Sequence, residues 1–189
     1  AKTGAIALAE DGLDRATIDL VQQLSGASVV HGITHTKAVD PWPVQFSASA
    51  DGSGQGSPHG FRQHLLDALA EGPQLVVTSS QCEARRLERL ADARGIDAHR
   101  IDSETNEAGR YRAFFESPDE WLQATRPHLL ILSPSAKTGL SIEGGASVED
   151  AYFRGVWGIF HCLDTDTAMQ LLGRYRPAVP CSCTVSPHA

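Results

Sequence analysis

Apolar residues along the chain gather in short runs that alternate with stretches of helical spacing. The runs have the length of strands and cover residues 5–9, 28–33, 44–47, 75–79, 99–102, 129–133, 156–163 and 179–185. Residues 75–77 and 129–132 contain no alternating polar side chains, which is typical of strands buried on both faces of a parallel sheet. We therefore predict an α/β fold in which helices cover a mainly parallel sheet.

The segments between these runs space their apolar residues as helices do. They predict helices at residues 14–24, 61–70, 81–94, 104–115, 118–124 and 164–175. Residues 117–120 have the form of a capping box with proline in the first turn. Residues 51–58 are rich in glycine and serine, which is typical of a surface loop or a hinge.

Charge and composition restrict the class of protein. A chain of 189 residues is enough for one ordinary domain, and 41% hydrophobic and 21% charged residues are typical of a soluble globular protein. The formal net charge of −7 argues against a domain that coats nucleic acid with basic surface, but it allows a few phosphate contacts. The sequence has neither an apolar run of membrane-spanning length nor a signal-peptide pattern. We expect a cytoplasmic protein without a membrane partner.

The four cysteines do not have the spacing of a zinc site. Cys181 and Cys183 are separated by one residue, whereas zinc ligands are usually separated by two or more. Cys162 falls in the apolar run 156–163, where a buried strand would hold it as a small hydrophobic residue. We expect no metal site, and the alternative is a zinc site completed by His161, Cys162 and His188.

Hydroxyl side chains end the apolar run 75–79, directly before a predicted helix. Ser79 and Ser80 would lie at the helix N-terminus, where unpaired amides and the positive end of the dipole favour a phosphate. Serines at this position are also common helix caps. Phosphate contact and helix capping are therefore both open interpretations.

A second candidate is the loop of residues 133–142, SPSAKTGLSI, which follows the run 129–132. Loops that leave the carboxyl ends of parallel strands are where open α/β sheets bind ligands. Gly139 would allow a close approach of the backbone. Lys137 and Thr138 are also found in phosphate-binding loops, but the pattern G-x-x-x-x-G-K-[ST] is not met and no suitable helix follows Thr138.

The third candidate is the segment QLLGRYR at residues 170–176, at the end of the last predicted helix. Gln170 and Arg174 are four residues apart and would share one face of that helix. Gly173 inside a helix costs about 1 kcal/mol relative to alanine, which favours close packing or close approach to a partner at this point. Arginines presented in this way can stabilise the phosphates of a nucleotide held elsewhere, or they can be solvated residues at a helix end.

In this order the three segments resemble the later motifs of superfamily 2 helicases. The strand "LVVTSS" resembles the one that opens the second RecA-like lobe, and residues 133–142 resemble the Thr-Gly loop that links nucleic acid to nucleotide. Residues 170–176 resemble the Gln-x-x-Gly-Arg element that carries arginine fingers, although Arg174 and Arg176 are two apart where many of these helicases have three. The phrases "SPSAKTGLSIEGG" and "MQLLGRYRP" are also similar to the helicase half of cyanobacterial plasmid replication proteins.

This resemblance implies a RecA-like three-layer αβα fold of the P-loop NTPase type. Residues 1–13 would end a preceding lobe or linker in a Walker B-like strand, and residues 14–189 would form the second lobe. The implied catalytic residues are Gln170, Arg174 and Arg176. The implied nucleotide-binding residues are Gly139, Ser141, Glu10 and Asp11. The implied nucleic-acid-binding residues are Ser79, Ser80, Lys137 and Thr138.

The function implied is the second lobe of an ATP-dependent DNA helicase or translocase in plasmid or mobile-element replication. ATP and Mg²⁺ would bind with an N-terminal P-loop lobe of the same polypeptide, and single-stranded DNA would be the other partner. Because the chain contains no Walker A motif, we expect it to be inactive alone. The alternative is a RecA-like module that binds nucleic acid or a replication partner without turnover. An unrelated Rossmann-like enzyme would need a strand–glycine-rich loop–helix unit, which residues 52–56 do not provide.

Overall fold

The computed structural model describes residues 15–26, 43–47, 58–107, 109–133, 140–144 and 150–186. The chain divides into two units, Ala1–Asp40 and Pro41–Ala189. In the first unit the described part is helix α1 (Arg15–Ser25), on which Leu20 and Leu24 are exposed. The strands predicted at residues 5–9 and 28–33 lie outside the described residues.

The second unit alternates strands and helices along the chain. Its strands are β1 (Val44–Ser47), β2 (Gln74–Thr78), β3 (Ala98–Ile101), β4 (Leu129–Leu132), β5 (Gly155–His161) and β6 (Cys181–Ser186). Its helices are α2 (Pro58–Ala68), α3 (Gln81–Asp92), α4 (Ser103–Glu107), α5 (Arg112–Glu116), α6 (Pro118–Thr125) and α7 (Thr165–Leu172). Among the described residues, no helix is long and apolar enough to cross a bilayer.

The six strands form one sheet in the order β1-β6-β5-β2-β4-β3, and every pairing is parallel. β2 lies in the middle, and all five of its residues are buried. β2 and β4 are buried on both faces, as their unbroken apolar runs predict. The prediction of an α/β fold with a mainly parallel sheet is confirmed.

Helices cover both faces of this sheet. On one face, Phe61, Leu65 and Leu69 of the α2 region join Leu87 of α3 in packing against residues of the central strands, which include Val76, Ile131 and Ile159. On the other face, α5, α6 and α7 pack against the alternate residues of the same strands, which include Leu75, Val77, Leu130 and Phe160. Helices on both faces of a parallel sheet make the three layers of a RecA-like αβα fold.

The direction of the crossovers changes next to β2. The helix after β2 is α3 on one face, whereas the helix after the neighbouring strand β5 is α7 on the other. The loops at the carboxyl ends of β2 and β5 therefore leave in opposite directions. Open α/β sheets bind ligands at such a switch point.

Several predicted boundaries were wrong, for identifiable reasons. The helix predicted at residues 104–115 is two short helices, because Gly109 interrupts it with a φ of +66°. The last helix ends at Leu172 rather than Tyr175, and Gly173 is its C-cap rather than an interior residue. Cys162 follows β5 and is exposed, with a φ of +49°, so the prediction that a buried strand holds it was wrong. Ser117 precedes α6 but makes no side-chain capping hydrogen bond.

Candidate functional site

Ser79 connects the carboxyl ends of β2 and β5 by side-chain hydrogen bonds at the switch point. Its hydroxyl donates to the His161 carbonyl at 3.2 Å and accepts from the His161 amide at 2.8 Å. The one proton of the Ser79 hydroxyl is thus donated within the protein and not to a ligand. His161 Nδ1 is buried and has no hydrogen-bond partner in the part of the chain that the structure describes.

Ser80 caps helix α3. Its Oγ accepts a hydrogen bond from the amide of Glu83 at 3.3 Å, and its own amide donates to Thr78 Oγ1 at 3.1 Å. The capping interpretation is therefore confirmed for Ser80. Its hydroxyl proton is not used by this cap and can be donated to a ligand.

Helix α7 also begins with an internal cap. The carboxylate of Asp164 accepts from the Thr167 amide at 2.9 Å and from the Thr167 hydroxyl at 2.7 Å. These bonds, led by the hydroxyl, hold the pKa of Asp164 below its usual value. A carboxylate at the start of α7 does not favour an anion at that helix end.

The chain after β4 returns to the end of α7, where residues 140–144 form a strap against residues 174–176. Ile142 forms an isolated parallel bridge with Tyr175. The Ile142 amide donates to the Arg174 carbonyl at 2.8 Å, and the Arg176 amide donates to the Ile142 carbonyl at 3.0 Å. Two of the three sequence candidates, the loop of residues 133–142 and the segment 170–176, are therefore joined by backbone hydrogen bonds.

Asp119 in the first turn of α6 holds the other side of the strap. Its carboxylate accepts from the Gly144 amide at 2.8 Å and from the Glu143 amide at 3.4 Å. Gly144 has a φ of +59°, and a Cβ there would lie 2.3 Å from the ring of Tyr175. Only glycine fits this close approach without strain.

Tyr175 is the buried residue between the two candidate arginines. It is 1% exposed, and its hydroxyl oxygen accepts from the amide of Phe153 at 3.0 Å. Burial raises the pKa of this phenol. The backbone on either side of Tyr175 is held by the hydrogen bonds of Arg174 and Arg176 to Ile142.

Arg176 is exposed and is oriented by the strap. Its Nε donates to Ser141 Oγ at 3.0 Å, and the Ser141 hydroxyl donates to Glu143 Oε1 at 2.9 Å. The sequence candidates Ser141 and Arg176 are therefore in direct contact. Within the described part of the chain, this relay uses only Nε of Arg176, so that Nη1 and Nη2 can bond to an anion.

Arg174 lies in a different environment from Arg176. It is half-buried, and desolvation lowers the pKa of its guanidinium. Its Nη1 is buried without a hydrogen-bond partner, and no carboxylate pairs with Arg174 among the residues that the structure describes. A half-buried cation without a partner is unfavourable, because it loses hydration and gains no compensating interaction.

The structure does not bring all the sequence candidates into one place. Ser79 and Ser80 lie at the carboxyl edge of the sheet, near the start of α7, whereas Arg174 follows the end of that helix. The ten residues from Asp164 to Arg174 correspond to about 15 Å along a helix. Gln170 is exposed within α7, and since Arg174 is beyond the helix end, the predicted shared face does not extend to it.

Some sequence candidates fall on residues that the structure does not describe, namely Glu10, Asp11, Lys137, Thr138 and Gly139. Among the described residues, no group of three or more histidine, cysteine or carboxylate side chains could hold a metal ion. The described residues of the site offer an anion contact from arginines.

Sequence reasoning missed three residues that shape this site. Asp119 looked like part of a helix cap, yet its carboxylate holds the strap. Tyr175 looked like a helical residue, and Gly144 was not singled out. The signal in the sequence was Gly144, which follows the predicted loop closely. A glycine alone does not indicate which residue packs against it.

Comparisons with protein-family models and with curated proteins found no match to this chain.

Proposed function

We propose that the chain is the second RecA-like lobe of an ATP-dependent DNA helicase or translocase, and that it completes a nucleotide site on a P-loop lobe. The resemblance to plasmid replication proteins extends the proposal to DNA replication of a plasmid or mobile element. ATP and Mg²⁺ would be held mainly by the other lobe. This chain would add arginines.

The observation that carries the proposal is Nη1 of half-buried Arg174, which has no hydrogen-bond partner among the residues that the structure describes. Burying part of a guanidinium without a counter-charge is costly, so such a group is retained where an anion arrives from outside. The phosphates of a nucleotide on a facing lobe are anions of this kind, and an arginine placed there stabilises charge in the transition state.

The strap supports a link between the nucleotide and the DNA. The loop that leaves β4 contains Lys137 and Thr138, the proposed DNA contacts, and its continuation bonds to Arg174 and Arg176 through Ile142. A shift of the loop when DNA binds would therefore act directly on the arginine segment. Such coupling is the physical basis for DNA-stimulated hydrolysis.

The proposal assigns different roles to the two serines after β2. Ser79 donates its proton to His161, so its hydroxyl cannot also donate to a phosphate without breaking that bond. Ser80 retains a proton for a DNA phosphate while its oxygen caps α3. We assign the phosphate contact to Ser80 rather than to Ser79.

The test is ATP turnover by the native-length polypeptide, with and without single-stranded DNA. We expect turnover that DNA stimulates, and a much smaller rate in the Arg174→Ala variant. Arg89→Ala is the matched control, since Arg89 is an exposed arginine on α3, across the sheet from α7. A native reading frame without G-x-x-x-x-G-K-[ST], or a wild type without turnover, would contradict the proposal. DNA binding without turnover would instead support the alternative, a RecA-like binding module.

A further inference from the structure

Helices α2 and α3 lie side by side on the outer surface of one face of the sheet and leave a cavity of about 360 Å³ between them. Leu66 of α2 and Leu90 of α3 provide its apolar lining. Basic side chains surround them, namely His59, Arg62, Arg86 and Arg94. We call this feature the α2–α3 groove. It is on the opposite face of the sheet from α7, so it is independent of the proposed nucleotide site.

Most of the positive charge in the groove is not neutralised locally. Arg62 is paired with buried Glu83, through Nε at 2.5 Å and Nη2 at 3.2 Å. Arg86 reaches the same carboxylate only at 3.8 Å, and its side chain is 57% exposed. Arg94 is exposed and has no ion pair among the described residues. Glu83 is thus shared by Arg62 and Arg86, and Arg94 has no carboxylate partner among the described residues, in a chain whose net charge is −7.

The arginines are also arranged in a line. Arg86, Leu90 and Arg94 are spaced four residues apart, which places the first two on one face of α3 and the third just beyond its end. On α2, His59, Arg62 and Leu66 follow the same helical spacing. The groove therefore presents an apolar strip bordered by positive charge, and the ligand that matches it has an apolar strip bordered by negative charge.

From this complementarity we propose that the α2–α3 groove binds an acidic amphipathic helix of a partner protein. Apolar side chains of the partner, such as leucine, would pack on Leu66 and Leu90. Its carboxylates would pair with Arg86 and Arg94. The alternative occupant, single-stranded nucleic acid, is less well matched, because His59 is the only aromatic side chain among the described residues that line the groove, and one ring does not make a series of stacking contacts.

The test uses a short fluorescent helical peptide with leucines on one face and glutamates beside them. Two matched peptides carry glutamine or lysine in place of the glutamates. Binding is measured by fluorescence anisotropy with wild-type protein and with the variants Arg86→Gln, Arg94→Gln, the double variant and Arg89→Gln. The last removes an exposed arginine from the same helix but outside the groove, so it controls for the change in net charge.

We expect the glutamate peptide to bind, the glutamine peptide to bind more weakly and the lysine peptide not to bind. Each single substitution should weaken binding roughly threefold and the double one about tenfold, with Arg89→Gln unchanged. Amide chemical shifts should change along α2 and α3. The proposal is overturned if the glutamate peptide does not bind, or if the double variant binds it as well as the wild type does. It is also overturned if single-stranded DNA displaces the peptide and depends on the same two arginines.

Discussion

Gln74 is a buried amide whose hydrogen bonds join three parts of the fold. It is 2% exposed at the start of β2. Its Nε2 donates to the carbonyls of Ala68 and Gly72, both at 3.1 Å, and its Oε1 accepts from Trp157 Nε1 at 2.9 Å. The end of α2, the turn before β2 and the neighbouring strand β5 are therefore connected through one side chain.

We predict that Gln74→Met lowers the free energy of unfolding by about 2–4 kcal/mol. Methionine has a similar shape, so the change removes hydrogen bonds while leaving little cavity. Three hydrogen bonds at roughly 1 kcal/mol each give about 3 kcal/mol, and polar groups left unpaired add to the loss. For a chain of this length the midpoint of thermal unfolding should fall by about 5–10 °C.

The assay is urea unfolding followed by tryptophan fluorescence, with Gln63→Met as the control. Gln63 also makes a side-chain hydrogen bond, to Asp67 at 2.8 Å, but it is on the surface of α2. The control should change stability by no more than about 0.5 kcal/mol. If Gln74→Met and Gln63→Met are equally stable, the hydrogen bonds of Gln74 do not stabilise the fold and the reasoning is refuted.

Three further predictions follow from the same structure. Gly144→Ala should destabilise the protein by about 2 kcal/mol in urea unfolding, because the new Cβ meets the ring of Tyr175 at a positive φ; an unchanged midpoint would contradict the geometry. Ser79→Ala should cost about 1–2 kcal/mol, since both of its bonds to the end of β5 are lost, and calorimetry checks it. Burial raises the pKa of Cys181 to about 12 and of Cys183 to about 11, so the folded chain holds these protons more tightly than the unfolded chain. The stabilisation that these two protonated thiols contribute should be present in full below about pH 9 and should be lost as the pH rises from about 9 to 12. Urea unfolding across that range should show a smaller loss of stability when both cysteines are replaced by alanine. An equal loss in the wild type and in that variant would contradict the prediction.

The architecture could be predicted because burial leaves a direct mark on composition. β2 and β4 are apolar at every position apart from Gln74 and Thr78 at the ends of β2, and such runs indicate a parallel sheet. The strand order is a different matter. It depends on the direction of each crossover, and the local pattern around β5 does not reveal that it lies beside β2.

The end of α7 shows why a helical pattern can extend beyond the helix. Tyr175 is buried at the spacing that a longer helix would give, but its ring packs against Phe153 and against Gly144 of the strap. Gly173 is the C-cap of α7 with a φ of −70°, whereas the sequence pattern predicts an interior position of close packing or close approach to a partner. The predicted link between Gln170 and Arg174 failed for this reason.

The sequence names candidate residues but does not reveal how they are arranged in the fold. The sequence pointed to Ser141 and Arg176 separately, and the structure places them 3.0 Å apart through Arg176 Nε. Asp119, which anchors the strap, is more than twenty residues away in sequence. Contacts over such separations depend on the tertiary fold, which a single sequence does not encode in any local motif.

We propose that Arg174 acts on a nucleotide held by another lobe. The most direct test is the kcat for ATP at saturating single-stranded DNA in Arg174→Ala and Arg176→Ala, each in the native-length polypeptide. We predict that Arg174→Ala lowers kcat on the order of a thousandfold, as loss of an arginine finger does. Arg176→Ala should have the smaller effect, since Arg176 already bonds to Ser141 within the lobe. A kcat for Arg174→Ala equal to that of the wild type would contradict the account.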